Sequence, residues 1–425
     1  MLQRVACKVK SLAAYAAVAG GEVLDEIRDL GRALRGLQLV QVNSAAHGGG
    51  VAELLTSMIP LECDVGLDAQ WWVIGGAQEF FRVTKGFHNA LQGATFDLTD
   101  QVQDVYLRHN ETCAAELAGP FDVAIVHDPQ PAAMRRYSNV DARWVWRCHI
   151  DTSSPNAAVW AFLKPYVESY DAAVFTLPKF VPADWVGPST AFVPPAIDPL
   201  SPKNRVLPRH LCREEVAEFG VDLTRPLVIQ VSRFDPWKDP QGVIDAYRIV
   251  KAQMPEVQLA LIGAMADDDP GGWEIYEQIR TEGEGDPDFF LFTNLTGVGA
   301  HEVNAFQSVA DVAVQKSIRE GFGLVVSEAL WKRTPVVGGR AGGIPLQIED
   351  GVGGFLVDSV ESCADRILYL LTHPDEASLI AQRGWERVRD RFLIPRLVRD
   401  ELRLVRSLVD RGGSAANEGP KGAAC

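Results

Sequence analysis

Short apolar runs alternate with stretches of helical spacing along most of the chain. LQLVQV at 37–42 ends in the Ser/Gly-rich turn NSAAHGGG, and VAELLTSMIPL then takes up the 3.6-residue period, which predicts strand, glycine loop and helix. The alternation continues with DAQWWVI as strand, QEFFRVTKGFHNAL and a polar stretch to about residue 117 as helices, and FDVAIVH, RWVWRCHI and DAAVFT as strands. Apolar strands separated by helices imply a parallel sheet covered on both faces. A proline-dense tract over 176–225 breaks the pattern and cannot sustain a helix or a central strand, so the domain junction is expected there.

A second series then opens with RPLVIQVSRF and runs through DPQGVIDAYRIVKAQ, VQLALIG, WEIYEQIR, DFFLFT, HEVNAFQS, ADVAVQKS, LVVSEALWK, TPVVGG and GGFLV. Both halves therefore read as Rossmann-like α/β units, whose ligands bind outside the carboxyl ends of the strands. Further helices are expected over 359–372, 375–390 and 395–411. The boundaries expected are an N-terminal helical arm at 1–36, a first domain at 37–195, a second at 196–394, a C-terminal helix at 395–411 and a disordered tail at 412–425.

Length agrees, since 425 residues exceed what one ordinary core supports. A composition of 47% hydrophobic and 23% charged residues fits folded globular domains, and a net charge of -15 disfavours nucleic acid and anionic membranes as partners. The seven cysteines are scattered without a Cys-x-x-Cys pair, which fits the cytosol better than a disulfide framework or a thiolate zinc site. The apolar LAAYAAVAG near the start is too short to span a membrane and reads as part of the helical arm. The acidic DDD at 267–269 reads as a solvated turn, and no metal-ligand cluster is evident.

Three motifs stand at strand ends. Gly48, Gly49 and Gly50 open a helix, where backbone N–H groups and the helix dipole favour an anion, though three glycines also serve a tight turn and do not spell a dinucleotide fingerprint. Arg233 and Lys238, in VSRFDPWKDP, place a planar fork and a point charge beside a helix start, which suits a diphosphate. In REGFGLVVSEAL, Glu320 falls in a loop and Glu328 inside an apolar helix, where an unpaired carboxylate is costly and calls for a ligand or partner. No carboxylate pair stands out as nucleophile and acid.

With these motifs the chain resembles the retaining nucleotide-sugar glycosyltransferases of GT-B fold, in which two Rossmann-like domains face a cleft. VNSAAHGGGVAELL, VHDPQP, WRCHIDTSS, VPPAIDPL, QVSRFDPWKDP and KSIREGFGLVVSEALWK resemble more narrowly the glycosyltransferring trehalose synthases and the related retaining trehalose phosphorylases. The Pro194, Pro195, Ala196, Ile197, Asp198 junction departs from the Pro-Asn-Gly-Ile-Asp of the wider group and agrees with the trehalose branch.

The resemblance implies that Arg233 and Lys238 bind the donor diphosphate, Glu328 the ribose hydroxyls, and Glu320 with the Gly321, Phe322, Gly323 backbone the transferred glucose. It places Gly48–Gly50 over the diphosphate, His149 near the transferred sugar, and Asp128 and Gln130, with capping as their alternative role, at the acceptor hydroxyls. His149, Arg233, Lys238 and Glu320 are thus the expected catalytic set. Same-face attack, with the departing phosphate taking the acceptor proton, is what the resemblance implies for retention. The C-terminal helix is expected to cross back to the first domain.

The function this implies is a cytoplasmic hexosyltransferase making α,α-trehalose from a nucleoside diphosphate glucose and free glucose. No obligatory cofactor is called for, Mg2+ helping only through the nucleotide, and a homodimer is compatible. The donor base, uridine or adenosine, stays open, with the Asn294–Gly297 loop a candidate for base contacts, as do the direction of the reaction and the breadth of acceptors. Trehalose phosphorylase is the nearest alternative. A nucleotide-sugar epimerase or a non-catalytic sensor is more remote, and an oxidoreductase more remote still.

Overall fold

The computed structural model describes residues 2–47, 49–265 and 270–416. The chain forms two compact units, one of residues up to Pro195 together with the segment from Ile394, the other Ala196–Leu393.

The first unit is built on strands β1 (Leu2–Val5), β2 (Gln38–Asn43), β3 (Asp68–Ile74), β4 (Val123–His127), β5 (Arg143–Cys148), β6 (Ala172–Phe175) and β7 (Thr190–Phe192). They lie in the order β1-β3-β2-β4-β5-β6-β7, all parallel except β1, which runs antiparallel to β3 at the edge. The N-terminal arm is therefore helical only over Gly21–Ala33 and a 3-10 turn at Leu12–Tyr15, because its first residues complete the sheet instead. The proline tract likewise yields an edge strand, β7, and a helix at Arg209–Glu218 beyond the densest prolines.

Side chains alternate across these strands with the period of two. Val40, Val42, Ala124, Val126, Trp144 and Trp146 enter one core with Phe87 and Tyr106 of the helices Gln78–Leu91 and Asp100–Glu116. The register pairs Gln41 with Ile125 and His127 with Arg147, so Gln41, His127 and Arg147 share the opposite face. Helices Gly50–Asp64 and Ile394–Ala416 supply Glu62 and Glu401 against them. The final helix docks on this unit through Leu397, Val398, Leu402 and Val405, all fully buried. Arg396 donates to the Pro194 and Pro195 carbonyls at 2.8 and 2.9 Å. Helix continues through Ala416, and the remainder of the expected tail lies outside the described residues.

The second unit holds β8 (Leu227–Val231), β9 (Gln258–Gly263), β10 (Phe289–Thr293), β11 (Val312–Gln315), β12 (Val336–Gly339) and β13 (Phe355–Val357). All are parallel, in the order β10-β9-β8-β11-β12-β13. Val228, Leu259, Leu261, Val312, Val314 and Val337 pack with Val243, Tyr247 and Ile367 of the helices Pro240–Gln253 and Val360–Thr372. Such sheets leave their carboxyl ends for loops, and the site residues stand there.

Candidate active site

In the second unit the loop after β8 carries Arg233 and Lys238. Arg233 stays 57% exposed on its side chain with Asp235 at 3.5 Å, whereas Lys238 is largely buried and its Nζ lies 2.6 Å from Glu320 Oε2. Ser317 Oγ donates to the same carboxylate oxygen at 3.2 Å. Lys238 and Glu320, 82 positions apart in sequence, are thus one ion pair at the ends of β8 and β11. Asp239, left-handed at φ 49°, caps the helix Pro240–Gln253 by accepting from Gly242 N at 3.1 Å, and it also pairs with buried Lys316.

Gly321, Phe322 and Gly323 follow Glu320 in a loop fixed from two sides. Gln347 Nε2 donates to the Phe322 and Gly323 carbonyls at 2.6 and 3.2 Å, while its Oε1 accepts from Ser327 N and Oγ. Gly342, at φ 51°, backs onto Glu320 so closely that a Cβ there would stand 1.7 Å from the Glu320 carbonyl oxygen. Gly323, at φ 79°, starts the helix Leu324–Trp331 without a side-chain cap.

Glu328 is 1% exposed in that helix. Lys203 Nζ forms an ion pair with its Oε1 at 2.9 Å, and Oε2 makes no hydrogen bond among the described residues. Nearby Lys332 donates to Asn204 Oδ1 and the Glu328 carbonyl, and burial pulls its ammonium down to about 7 against the opposing pull of Glu328. Lys203, Lys316 and Gln347 are site neighbours that sequence reasoning missed. The Asn294–Gly297 loop is a 3-10 turn closed by Gly297 at φ 90°, with Asn294 engaged to Met265 and Leu295 exposed. Residues 266–269, and so the acidic turn at 267–269, lie outside the described residues.

In the first unit Gly49 is the N-cap of the helix Gly50–Asp64, and no side chain among the described residues caps it; a helix start of this kind suits an anion. Gly48 lies outside the described residues. Asp128 follows β4 at φ 63°, a costly conformation for a non-glycine residue and one concentrated at functional sites. Its Oδ1 accepts from His149 N at 2.8 Å. Burial pushes its carboxyl up to about 7, opposed by the His149 amide and the Arg147 charge.

Gln130 Oε1 is buried without a hydrogen-bond partner among the described residues. His149, just past β5, lies 2.9 Å through Nε2 from His127 Nδ1. Burial, then Arg147, holds both imidazoles well below their ordinary range, so both are neutral near pH 7. Asp128 and His149 thus meet in one unit and Lys238 and Glu320 in the other, while Arg233 and Glu328 make separate contacts.

Two family models match the chain: "Trehalose synthase, N-terminal domain" over residues 41–182 and "Glycosyl transferases group 1" over 213–387. A trehalose synthase of Rubrobacter xylanophilus is 51% identical over 415 residues, covering 96% of this chain and 100% of that one. The chain belongs to the trehalose synthase family. A trehalose phosphorylase of Grifola frondosa is similar at 29% identity, the match covering 87% of this chain and 56% of that one. Among solved structures, an α,α-trehalose-phosphate synthase of Burkholderia xenovorans superposes with a TM-score of 0.70 at 16% identity, over 88% of this chain and 100% of that one. The fold of this trehalose synthase family member is thus GT-B, and its chemistry that of a trehalose-related hexosyltransferase. No helix among the described residues is long and apolar enough to cross a membrane.

Proposed function

We propose that the chain is a retaining glucosyltransferase that moves glucose from a nucleoside diphosphate glucose to the anomeric hydroxyl of free glucose, releasing α,α-trehalose and the nucleoside diphosphate. The observation that carries this reading is the Lys238–Glu320 pair at adjoining strand ends, with Arg233 exposed in the same loop after β8 of a trehalose synthase family member.

In this reading Arg233 and Lys238 hold the diphosphate, and the helix start at Gly49 and Gly50 offers its N–H groups to an anion. Glu328 accepts from the ribose diol, and Glu320 with the Gly321–Gly323 backbone holds the glucose. Asp128, Gln130 and His149 hold the acceptor. The bond from the anomeric carbon to the diphosphate oxygen breaks and a bond to the acceptor oxygen forms on the same face. The acceptor proton passes to the departing phosphate. Fixed cations aimed at the leaving group lower the barrier because its charge grows in the transition state.

A phosphorylase would place inorganic phosphate on the same cations, and the likeness to the Grifola frondosa enzyme supports keeping that reading as the second. The deciding experiment is a matrix of donors and acceptors with products identified by NMR. Uridine or adenosine diphosphate glucose with glucose should give α,α-trehalose. Trehalose formed from glucose 1-phosphate and glucose, with no product from either nucleotide sugar, would replace the synthase by the phosphorylase.

A further inference from the structure

A buried polar chain runs behind His149. Gln41 Nε2 lies 2.6 Å from Glu401 Oε1 and 3.0 and 3.2 Å from the two Glu62 carboxyl oxygens, and Gln41 Oε1 lies 2.9 Å from His127 Nε2. His127 Nδ1 in turn meets His149 Nε2 at 2.9 Å. Gln41, Glu62, His127 and Glu401 are all buried, Arg147 lies 3.6 Å from Glu401 Oε2, and no step of the proposed reaction uses them. An apolar strand face holding such a set is expensive unless every donor finds an acceptor.

The donor and acceptor roles follow from one end. Three carboxyl oxygens surround one end of the Gln41 amide, and an amide oxygen there would face the Glu401 carboxylate. The NH2 therefore points at the carboxyl pair, and Oε1 points at His127. Oε1 can only accept, so His127 Nε2 carries the proton. Being neutral, His127 has its lone pair on Nδ1, which must accept from His149 Nε2–H. His149, neutral as well, then has its lone pair on Nδ1, and Nδ1 has no hydrogen-bond partner among the described residues.

We propose that Glu62, Glu401, Gln41 and His127 are positioning residues that lock His149 in the Nε2–H tautomer, presenting Nδ1 as a hydrogen-bond acceptor to a sugar hydroxyl. The identity of that hydroxyl rests on the sugar-binding role given to His149 above; the tautomer does not. Glu62 fits its part, since burial first and the Glu401 charge second hold its carboxyl well above its ordinary range. The Arg147 guanidinium stands against the pair, 3.6 Å from Glu401 Oε2. Because Glu401 comes from the last helix and Gln41 from β2, the relay is complete only when the end of the chain is in place.

The test is 15N NMR of the ligand-free protein labelled in its eight histidines, with the His149 resonances assigned by their loss in His149→Phe. In the wild type, Nδ1 of His149 should have the shift of an unprotonated ring nitrogen and Nε2 that of a protonated one. His127→Asn, whose Oδ1 falls near the place of Nδ1 and can still accept from His149, should keep that pattern. His127→Leu should leave His149 exchanging between tautomers and lower kcat by about tenfold, the worth of one hydrogen bond, with a smaller change in KM.

Gln41→Met should act like His127→Leu and serves in its place if that variant does not fold. A wild-type His149 protonated on Nδ1, or a His149 pattern unchanged in His127→Leu or Gln41→Met, overturns the relay. A relay that behaves as described in a protein without glucosyl transfer leaves the tautomer assignment standing and removes only the proposed reaction.

Discussion

Arg233 and Lys238 differ in what surrounds them, and their alanine variants should differ accordingly. Arg233 has one distant ion-pair partner among the described residues, so Arg233→Ala should leave thermal stability unchanged and lower kcat/KM by the worth of a charge-assisted phosphate contact, roughly 1.5–3 kcal/mol or ten- to a hundredfold. Lys238→Ala also strands the Glu320 carboxylate and should cost some stability besides. Glu328→Gln should chiefly raise the donor KM, and Glu320→Gln should chiefly lower kcat, because ribose is bound throughout while the glucose ring changes in the transition state. Normal steady-state kinetics in all four variants would remove these residues from the site.

Asp128 gives a pH signature. Its folded pKa of about 7 stands above the ~3.9 of an unfolded aspartate, so between these values the folded chain binds the extra proton and stability falls as pH rises. Asp128→Asn keeps a side-chain oxygen for the His149 amide and tolerates the left-handed backbone. Its Tm should therefore gain on the wild type as pH goes from 5 to 7.5. A Tm difference independent of pH would show that Asp128 is ionised throughout.

The legibility of these residues was uneven. Glu320 and Lys238 could be picked out because each stands at a strand end beside a glycine or proline turn. The relay behind His149 was not read, although Gln41 in LQLVQV and His127 in FDVAIVH are polar breaks in apolar strands on the same phase of the two-residue period. Glu62 and Glu401 meet only in three dimensions, and no local pattern joins them.

At the scale of elements, alternation of apolar runs and helical spacing located both sheets, since buried parallel strands and amphipathic helices leave different periods in a sequence. Topology did not follow from it: β1 and β7 are edge strands with few buried positions and therefore little periodic signal. The loop from Glu320 to Gly323 shows how elements fix a site. It is held by Gln347 at the end of the short helix Ile344–Gln347 and by the bare backbone of Gly342 just before that helix. In Gly342→Ala the new Cβ would collide with the Glu320 carbonyl, and the left-handed backbone alone costs ~1–2 kcal/mol. The expected outcome is a lower Tm together with a kcat loss like that of Glu320→Gln. A variant less stable but with unaltered kcat would show that the backbone of Glu320 can shift without moving its carboxylate.

The whole molecule is not a simple tandem of two units, because the chain returns after Leu393 to complete the first. The helix from Ile394 buries Leu397, Val398, Leu402, Val405 and Leu408, which together contribute on the order of 10 kcal/mol when each gives ~1.5–3 kcal/mol. That is comparable to the ~5–15 kcal/mol that holds an entire domain folded. Ending the chain at Leu393 would also strip Glu401 from Gln41 and Arg147, leaving a buried guanidinium without its carboxylate, a second and independent cost.

The second unit loses none of its own residues by this cut. The truncated chain should therefore unfold in two separate steps, with the first unit melting far below its temperature in the full chain or failing to fold, while the second keeps a cooperative transition. Differential scanning calorimetry and hydrogen exchange over residues 37–195 and 226–390 can follow the two halves separately. Native protection in the first half of the truncated chain would mean that the last helix decorates a unit already stable without it.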